Sequence, residues 1–352
     1  MTFLSSDHPW EVGPFSFPAG DYYVEAATAA DAMLLQQVAV CTVENEKPLV
    51  AGEDYNGRTV LVCRSGGFGD LLFMTPVLRA LKRRWPQCRL RVATTPYFAD
   101  ALRCHPAVDE MVDYPVAAAD VEAAAAVIWL EGAVEFDPAA HHVHYVDLLA
   151  AYAGIDLAGD TQMDLHVSPA AAESMAVRYP RRGLRIGVQL RASAACRTWR
   201  RTGDFINLAS QQMPEAEIMV FDAPDQIHER RALPSNITWL PWAEPALSFG
   251  DSVALLATCD VVVAPDSGLC HAAAALGRPV VAVYGSFPWQ LRTAYQPTVR
   301  AIMGYAECAP CFWHARKGPF PADGPCAVTG KCEALQQVSP EYVLRTVKKL
   351  LP

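Results

Sequence analysis

The sequence predicts an α/β protein of two domains, each a parallel sheet covered by helices. Three observations carry this reading. At 352 residues the chain exceeds what one small core organises. A hydrophobic content of 52% against 19% charged residues describes a packed globular chain, not a disordered one. From Thr59 onward, short buried apolar runs alternate with segments of helical period, the pattern of parallel strands joined by crossover helices.

Taken in order, residues 1–57 hold only short apolar alternations such as Asp21-Tyr22-Tyr23-Val24-Glu25 behind the turn-forming Pro18-Ala19-Gly20, which predicts a small β-rich N-terminal appendage. A first domain over 58–178 opens with Val60-Leu61-Val62-Cys63 as a buried strand and a loop, Gly66-Gly67-Phe68-Gly69. One helix is expected next, because Leu71, Met74, Leu78, Leu81 and Trp85 fall on one face. Strands are expected at 89–93, 108–112 and 127–130, and an amphipathic helix at 145–153. Tyr179-Pro180-Arg181-Arg182-Gly183 reads as a linker.

A second domain over 184–338 begins with a strand at 185–190 and continues through a helix at 205–212, a strand at 217–221 and a helix at 252–257. Its clearest unit is strand 260–264, loop 265–268, a helix to Leu276, the turn Gly277-Arg278-Pro279 and strand 280–284. A cysteine-rich excursion at 308–332 follows. Ser339-Pro340-Glu341 then opens a C-terminal helix over 339–352, with an N-cap serine and proline at the first helical position.

A formal net charge of -9 argues against general nucleic-acid binding, which needs a basic surface, so any anion site must be local. Residues 1–12 lack a basic start and an apolar stretch, and no window reaches about 18 uncharged apolar residues. A cytoplasmic protein is expected. Eleven cysteines, an odd number in a large chain, then read as reduced thiols and not as a secreted disulfide framework.

The loop Gly66 to Gly69 joins a strand to a helix, so its backbone can approach a ligand and the helix start favours anions. A dinucleotide fingerprint fails, since the third glycine would fall on Leu72, and a Walker loop is absent. Asp70 is by position an ordinary first-turn acid that complements the helix dipole. At the second strand-to-helix junction Asp266 would cap the helix, amides near Ser267 and Gly268 would point at an anion, and His271 would sit close enough to touch it or else be a satisfied buried histidine.

Cys308, Cys311, Cys326 and Cys332 have the spacing of a four-thiolate zinc or iron site, His314 being an alternative ligand and plain reduced thiols the plainer reading. Arg79, Lys82, Arg83, Arg84, Arg89 and Arg91 cluster without an intervening acid. Such a run is a solvated surface or a face for a phosphorylated acceptor or an anionic membrane.

Val60-Leu61-Val62-Cys63-Arg64, then Gly67-Phe68-Gly69-Asp70-Leu71-Leu72, then Thr75-Pro76-Val77-Leu78-Arg79-Ala80-Leu81 resembles the opening of ADP-heptose:lipopolysaccharide heptosyltransferases, glycosyltransferase family 9. Asp266-Ser267-Gly268-Leu269-Cys270-His271-Ala272-Ala273-Ala274 is similar to that family's second signature, and the resemblance runs over about 59–350. It implies a GT-B fold, two Rossmann-like α/β/α domains facing a cleft, with an acceptor side over 58–178 and a nucleotide-sugar side over 184–338.

The same resemblance implies Asp70 as the base that deprotonates the acceptor hydroxyl. Gly67, Gly69, Ser193, Arg197, Asp266, Ser267, Gly268 and His271 would line the donor. Arg197 stands where the family usually has lysine and brings a planar fork in place of a point charge. Asp222 or Asp225 would accept from a ribose.

Inverting transfer without a catalytic metal is implied, from a nucleotide-diphosphate sugar, ADP-heptose first, to a saccharide such as a lipopolysaccharide core or to a protein. The branch that glycosylates autotransporter proteins is similar in carrying an iron-binding cysteine finger, and peripheral contact with the inner membrane would suit a lipid-linked acceptor. The competing readings are a nucleotide-sugar epimerase of the same architecture and a non-catalytic nucleotide-binding protein.

Overall fold

The computed structural model describes residues 2–6, 10–12, 15–17, 20–24, 39–41, 47–222, 232–311 and 332–351. Asp225, His314 and Cys326 lie outside the described residues. Two compact units, Met1–Thr161 and Gln162–Pro352, divide the chain. The helix Pro169–Arg178, which lies inside the span 58–178 expected for the first domain, belongs to the second unit, where it packs on the helix Phe249–Leu256.

In the first unit a parallel sheet runs in the order Ala126–Trp129, Thr59–Cys63, Arg89–Thr94, Glu110–Asp113. Strand Thr59–Cys63 is central and buried along Val60 to Cys63, which is why it reads as an unbroken apolar run. A separate antiparallel sheet pairs Ala39–Cys41, Thr2–Ser6, Gly20–Val24 and Val116–Ala117 in that order.

The single helix expected after the glycine loop is two, Phe68–Phe73 and Thr75–Arg84. The break comes from Pro76, which has no N–H to donate and so opens a helix in its first turn more readily than it continues one. The Thr75 hydroxyl donates to the Leu72 carbonyl at 2.9 Å across the break. Leu71, Met74, Leu78, Leu81 and Trp85 are nevertheless all buried, so the apolar face survives the interruption.

The second unit holds six parallel strands in the order Ile237–Trp239, Glu217–Phe221, Arg185–Gln189, Val261–Pro265, Val280–Tyr284, Val299–Met303. On one face Ile186, Val188, Ile218, Val220, Val261, Val263, Val281 and Val283 alternate at period two and join Phe205, Leu344 and Val347 in a single cluster. Each such burial contributes about 1.5–3 kcal/mol, and Phe205→Ala would cost about 3–5 kcal/mol. The C-terminal helix Pro340–Leu350 is capped as expected, the Ser339 hydroxyl accepting from Tyr342 N–H at 3.2 Å.

Beside this sheet the chain meets itself at two glycines. A Cβ on Gly304 would overlap the Ala334 carbonyl, and one on Gly285 would fall 2.6 Å from Leu335 Cγ and 2.8 Å from Cys332 Sγ. The strands that lead into the cysteine excursion and the short helix Glu333–Gln337 that leaves it are thus packed at backbone distance.

Candidate functional site

Both units place their sequence motifs at the same kind of position. In an open α/β sheet the crevice lies beyond the carboxyl ends of two adjacent strands whose connections leave in opposite directions. In the first unit these strands are Thr59–Cys63 and Ala126–Trp129, because the chain goes from the former to Arg89–Thr94 on one side and returns on the other. In the second they are Arg185–Gln189 and Val261–Pro265. The segments 64–70 and 130–131 follow the first pair, and 190–197 and 266–271 follow the second.

At the first crevice Asp70 lies in the opening turn of Phe68–Phe73, its side chain one-third exposed at 33%. Its Oδ2 accepts the Gly67 N–H at 2.8 Å, so the first-turn role read from position is real. Its Oδ1 lies 3.6 Å from Arg64 Nη2. Arg64 is only 1% exposed and donates through Nη1 to the Leu130 carbonyl at 2.8 Å, which ties the two strand ends together. Glu131 accepts from Ser65, at the backbone N–H and, at 2.9 Å, from the hydroxyl. Gly67 and Gly69 are half-buried in the loop. Arg64 and Glu131 were missed from sequence: the arginine sat inside the quoted motif, but nothing local ties either residue to the site.

At the second crevice Arg197 donates to the Asp266 carbonyl at 3.0 Å and to the Ser193 hydroxyl at 2.7 Å, so these segments from two strands are joined. The helix Gly268–Ala275 begins at Ser267 with no side-chain cap. Asp266 therefore does not cap it, contrary to expectation. Its carboxylate is 2% exposed, lies 3.2 Å from Arg292 and 3.5 Å from His271 Nε2, and is one member of a buried charged group. Burial alone would raise this carboxyl, but Arg292, then His271 and Arg197, hold it well below the usual range.

His271 is buried at 2% and directs Nε2 at the Asp266 carboxylate, 3.5 Å away. Ser267 turns its hydroxyl onto the Gln189 side chain and the Pro265 carbonyl, the latter at 3.2 Å, so what it offers a ligand is backbone. The helix has its first N–H groups free of intrahelical partners by geometry, and Arg197 beside them supplies positive charge. An anion such as a diphosphate suits that pairing. Asp222, expected to meet a ribose, has Oδ2 bound by Arg191 at 2.6 and 2.8 Å.

The basic run of the first unit is largely ion-paired in the fold. Arg79 pairs with Asp160 at 2.5 Å, and Arg83 pairs with the same carboxylate; Lys82 pairs with Asp109 at 2.5 Å; Arg89 and Arg91 pair with Glu110 at 2.6 and 2.9 Å. Arg84 lies over the Trp85 ring at 4.7 Å. Because Arg79 and Arg83 share one carboxylate and Arg89 and Arg91 share another, the run is mostly ion-paired but keeps a positive excess.

Three of the four metal-spaced cysteines are described. Cys311 Sγ lies 3.8 Å from the Ser286 carbonyl, and Cys332 packs on the neighbouring Gly285. Burial raises the Cys332 thiol, and Cys311 and Cys308 add to the rise. Thiolates as a donor type suit zinc or iron, but among the described residues Cys308, Cys311 and Cys332 do not bring three sulfurs within 4.8 Å of one another, so the expected site is not drawn together by them. No helix among the described residues is long and apolar enough to cross a membrane.

Comparison with known proteins places these features. The family model for glycosyltransferase family 9 (heptosyltransferase) matches residues 115–318, more than half of the chain. Lipopolysaccharide heptosyltransferase 2 of Escherichia coli (strain K12) is 36% identical over 104 residues, 28% of this chain, and the match spans 26% of that relative's length. In fold, the chain is similar to the glycosyl transferase family 9 structure from Veillonella parvula DSM 2008, with a TM-score of 0.65, 14% identity, and coverage of 86% of this chain and 99% of that one. It is also similar to the iron-containing dodecameric glycosyltransferase TibC from enterotoxigenic E. coli H10407, at a TM-score of 0.59 and 16% identity over 89% of this chain and 79% of that one. The matched span takes in residues 130–131 and the whole of the second crevice but not the segment 64–70; as it covers more than half of the sequence, the chain belongs to glycosyltransferase family 9.

Proposed function

We propose that this protein transfers a sugar, a heptose first, from a nucleotide-diphosphate donor such as ADP-heptose to a hydroxyl of a saccharide or protein, with inversion at the anomeric carbon. The observation that supports it is the pairing, in one chain, of an exposed-edged carboxylate at the first crevice with an anion-suited helix start and arginine at the second.

Asp70 Oδ1 or Oδ2 takes the proton from the acceptor hydroxyl as its oxygen attacks the anomeric carbon. The bond from that carbon to the diphosphate oxygen breaks, and the diphosphate leaves with the electron pair. Arg197 and the backbone amides of Ser267 and Gly268 meet the charge that develops there. Asp266, Arg292 and His271 act through the position of that helix start and not by touching the donor. Gly67 and Gly69 let the backbone of the loop approach the donor closely. A zinc or iron ion held by Cys308, Cys311 and Cys332, with Cys326 as fourth ligand, would staple the excursion and take no part in transfer.

The test is Asp70→Asn with ADP-heptose as donor. Transfer should fall by at least 10³-fold while donor binding, read by thermal shift, stays within about twofold. Undiminished turnover in the variant would remove Asp70 from its role. Retained anomeric configuration in the wild-type product, read by NMR, would overturn the inverting displacement.

A further inference from the structure

The geometry points to Arg64 as the residue that positions the Asp70 carboxylate, an inference that rests on the reading of Asp70 as base. A carboxylate at the start of a short helix can turn about its side-chain torsions, and only some orientations place an oxygen lone pair toward an incoming hydroxyl. Here the two oxygens are held from different sides, Oδ2 by the Gly67 N–H at 2.8 Å and Oδ1 by Arg64 Nη2 at 3.6 Å.

The holder is itself immobile. At 1% exposure, Arg64 cannot swing into water, and its Nη1 is fixed on the Leu130 carbonyl at 2.8 Å, at the end of the neighbouring strand. A buried guanidinium is retained in a fold only when it is paired, and this one forms an ion pair with the Asp70 carboxylate at 3.6 Å. The loop between them leaves no slack: a Cβ on Gly66 would lie 2.7 Å from Asp70 Cβ and 3.1 Å from Arg64 Nε.

The elements packed on the helix Phe68–Phe73 are Pro96–Ala101, Thr75–Arg84 and Tyr145–Ala153. Their charged and titratable groups are Tyr97, Asp100, Arg79, Lys82, Arg83, Arg84, Tyr145, Asp147 and Tyr152, with His144 capping the last helix. Asp100 pairs with Arg103, Arg79 and Arg83 with Asp160, Lys82 with Asp109, and Tyr152 with Asp137. Glu131 is engaged by Ser65. The ion pair described for Asp70 is with Arg64.

Two variants and one reference test this. Protein labelled with carboxyl-13C aspartate is titrated by NMR as wild type, Arg64→Gln and Arg64→Lys, with Asp70→Asn assigning the resonance. Loss of a cation at this distance disfavours the charged carboxylate, so the Asp70 signal in Arg64→Gln should titrate at higher pH than in wild type, and Arg64→Lys should restore it toward wild type. In turnover with ADP-heptose and a truncated lipopolysaccharide core, Arg64→Gln should lower kcat by about 10–100-fold with the donor KM within about twofold.

An unshifted titration in folded Arg64→Gln overturns the inference. If that variant does not fold, Arg64→Lys decides: it keeps the charge but loses the fork, so wild-type kcat there overturns the positioning role. The two readings fail separately. Turnover in Asp70→Asn defeats the base assignment, whereas an inactive Asp70→Asn beside a wild-type-like Arg64→Gln defeats only the role of Arg64.

Discussion

Replacing Gly66 by alanine perturbs the first crevice with a single methyl group. The added Cβ would lie 2.7 Å from Asp70 Cβ and 3.1 Å from both Arg64 Nε and Asp70 Oδ2. Carbon atoms at rest stand about 3.5 Å apart, so the loop and the aspartate must separate by about 0.8 Å. The near atom of Asp70 is fixed to the backbone, and Arg64 is buried, so neither yields by rotating an end group. Overpacking of this kind costs about 1–3 kcal/mol.

The larger effect falls on chemistry, since a shift near 1 Å in a reacting group can lower turnover by about 10²-fold. The assay is kcat and KM with ADP-heptose, beside a thermal melt. A control is Gly203→Ala in the helix Thr202–Gln212, where an added Cβ meets nothing within 4 Å and should stabilise by about 0.5–1 kcal/mol. Wild-type kcat and melting temperature in Gly66→Ala would refute both the close approach and its consequence.

Asp266→Asn should destabilise by about 3–5 kcal/mol at neutral pH, because it leaves Arg292, 4% exposed, as a buried charge without its carboxylate. Since the folded Asp266 carboxyl is held below its unfolded value, its stabilisation is complete above the ordinary carboxylate range near 4 and is lost as pH falls below it. Acid unfolding should therefore be shallower in the variant, and superimposable curves would contradict this.

Metal analysis of the purified protein should find about one zinc or iron per chain, lost in Cys308→Ser together with several degrees of melting temperature. A metal-free wild type would end that proposal. Thiol labelling of native protein at pH 8 should reach the exposed Cys104 within minutes and spare Cys63, Cys259 and Cys270. Burial shuts these three off, and it pushes the Cys259 thiol up to about 12. Labelling of Cys259 at the rate of Cys104 would refute that protection.

The periodicity of the chain discloses most strands and helices because each depends on neighbours a few residues away. Strand Glu217–Phe221 and strand Val280–Tyr284 fall on the expected residues, and the helix Tyr145–Ala153 does too. The break before Thr75 was hidden because the apolar face continues through it, although Pro76 was there to be read.

What stayed illegible is long-range pairing. Arg79 finds Asp160 at a separation of 81 positions, and Asp266 finds Arg292 at 26, so a run that looked freely basic is largely ion-paired and a residue that looked like a cap is a buried counter-ion. For the same reason Arg64 and Glu131 stood out only once the strand order brought residues 64–65 beside 130–131. The motif residues identify the crevice, and the residues that hold them rigid come from other strands.

The backbone contacts at Gly304 and Gly285 have a consequence for how such a chain changes over generations. They hold the roots of the cysteine excursion together, Gly304 against the Ala334 carbonyl and Gly285 against the side chains of Leu335 and Cys332. Closing a longer loop over roots that already touch costs only about 0.6 kcal/mol per doubling of length. Changes in the length of the excursion should then cost the six-stranded sheet little, so the segment can vary while the second crevice keeps its geometry.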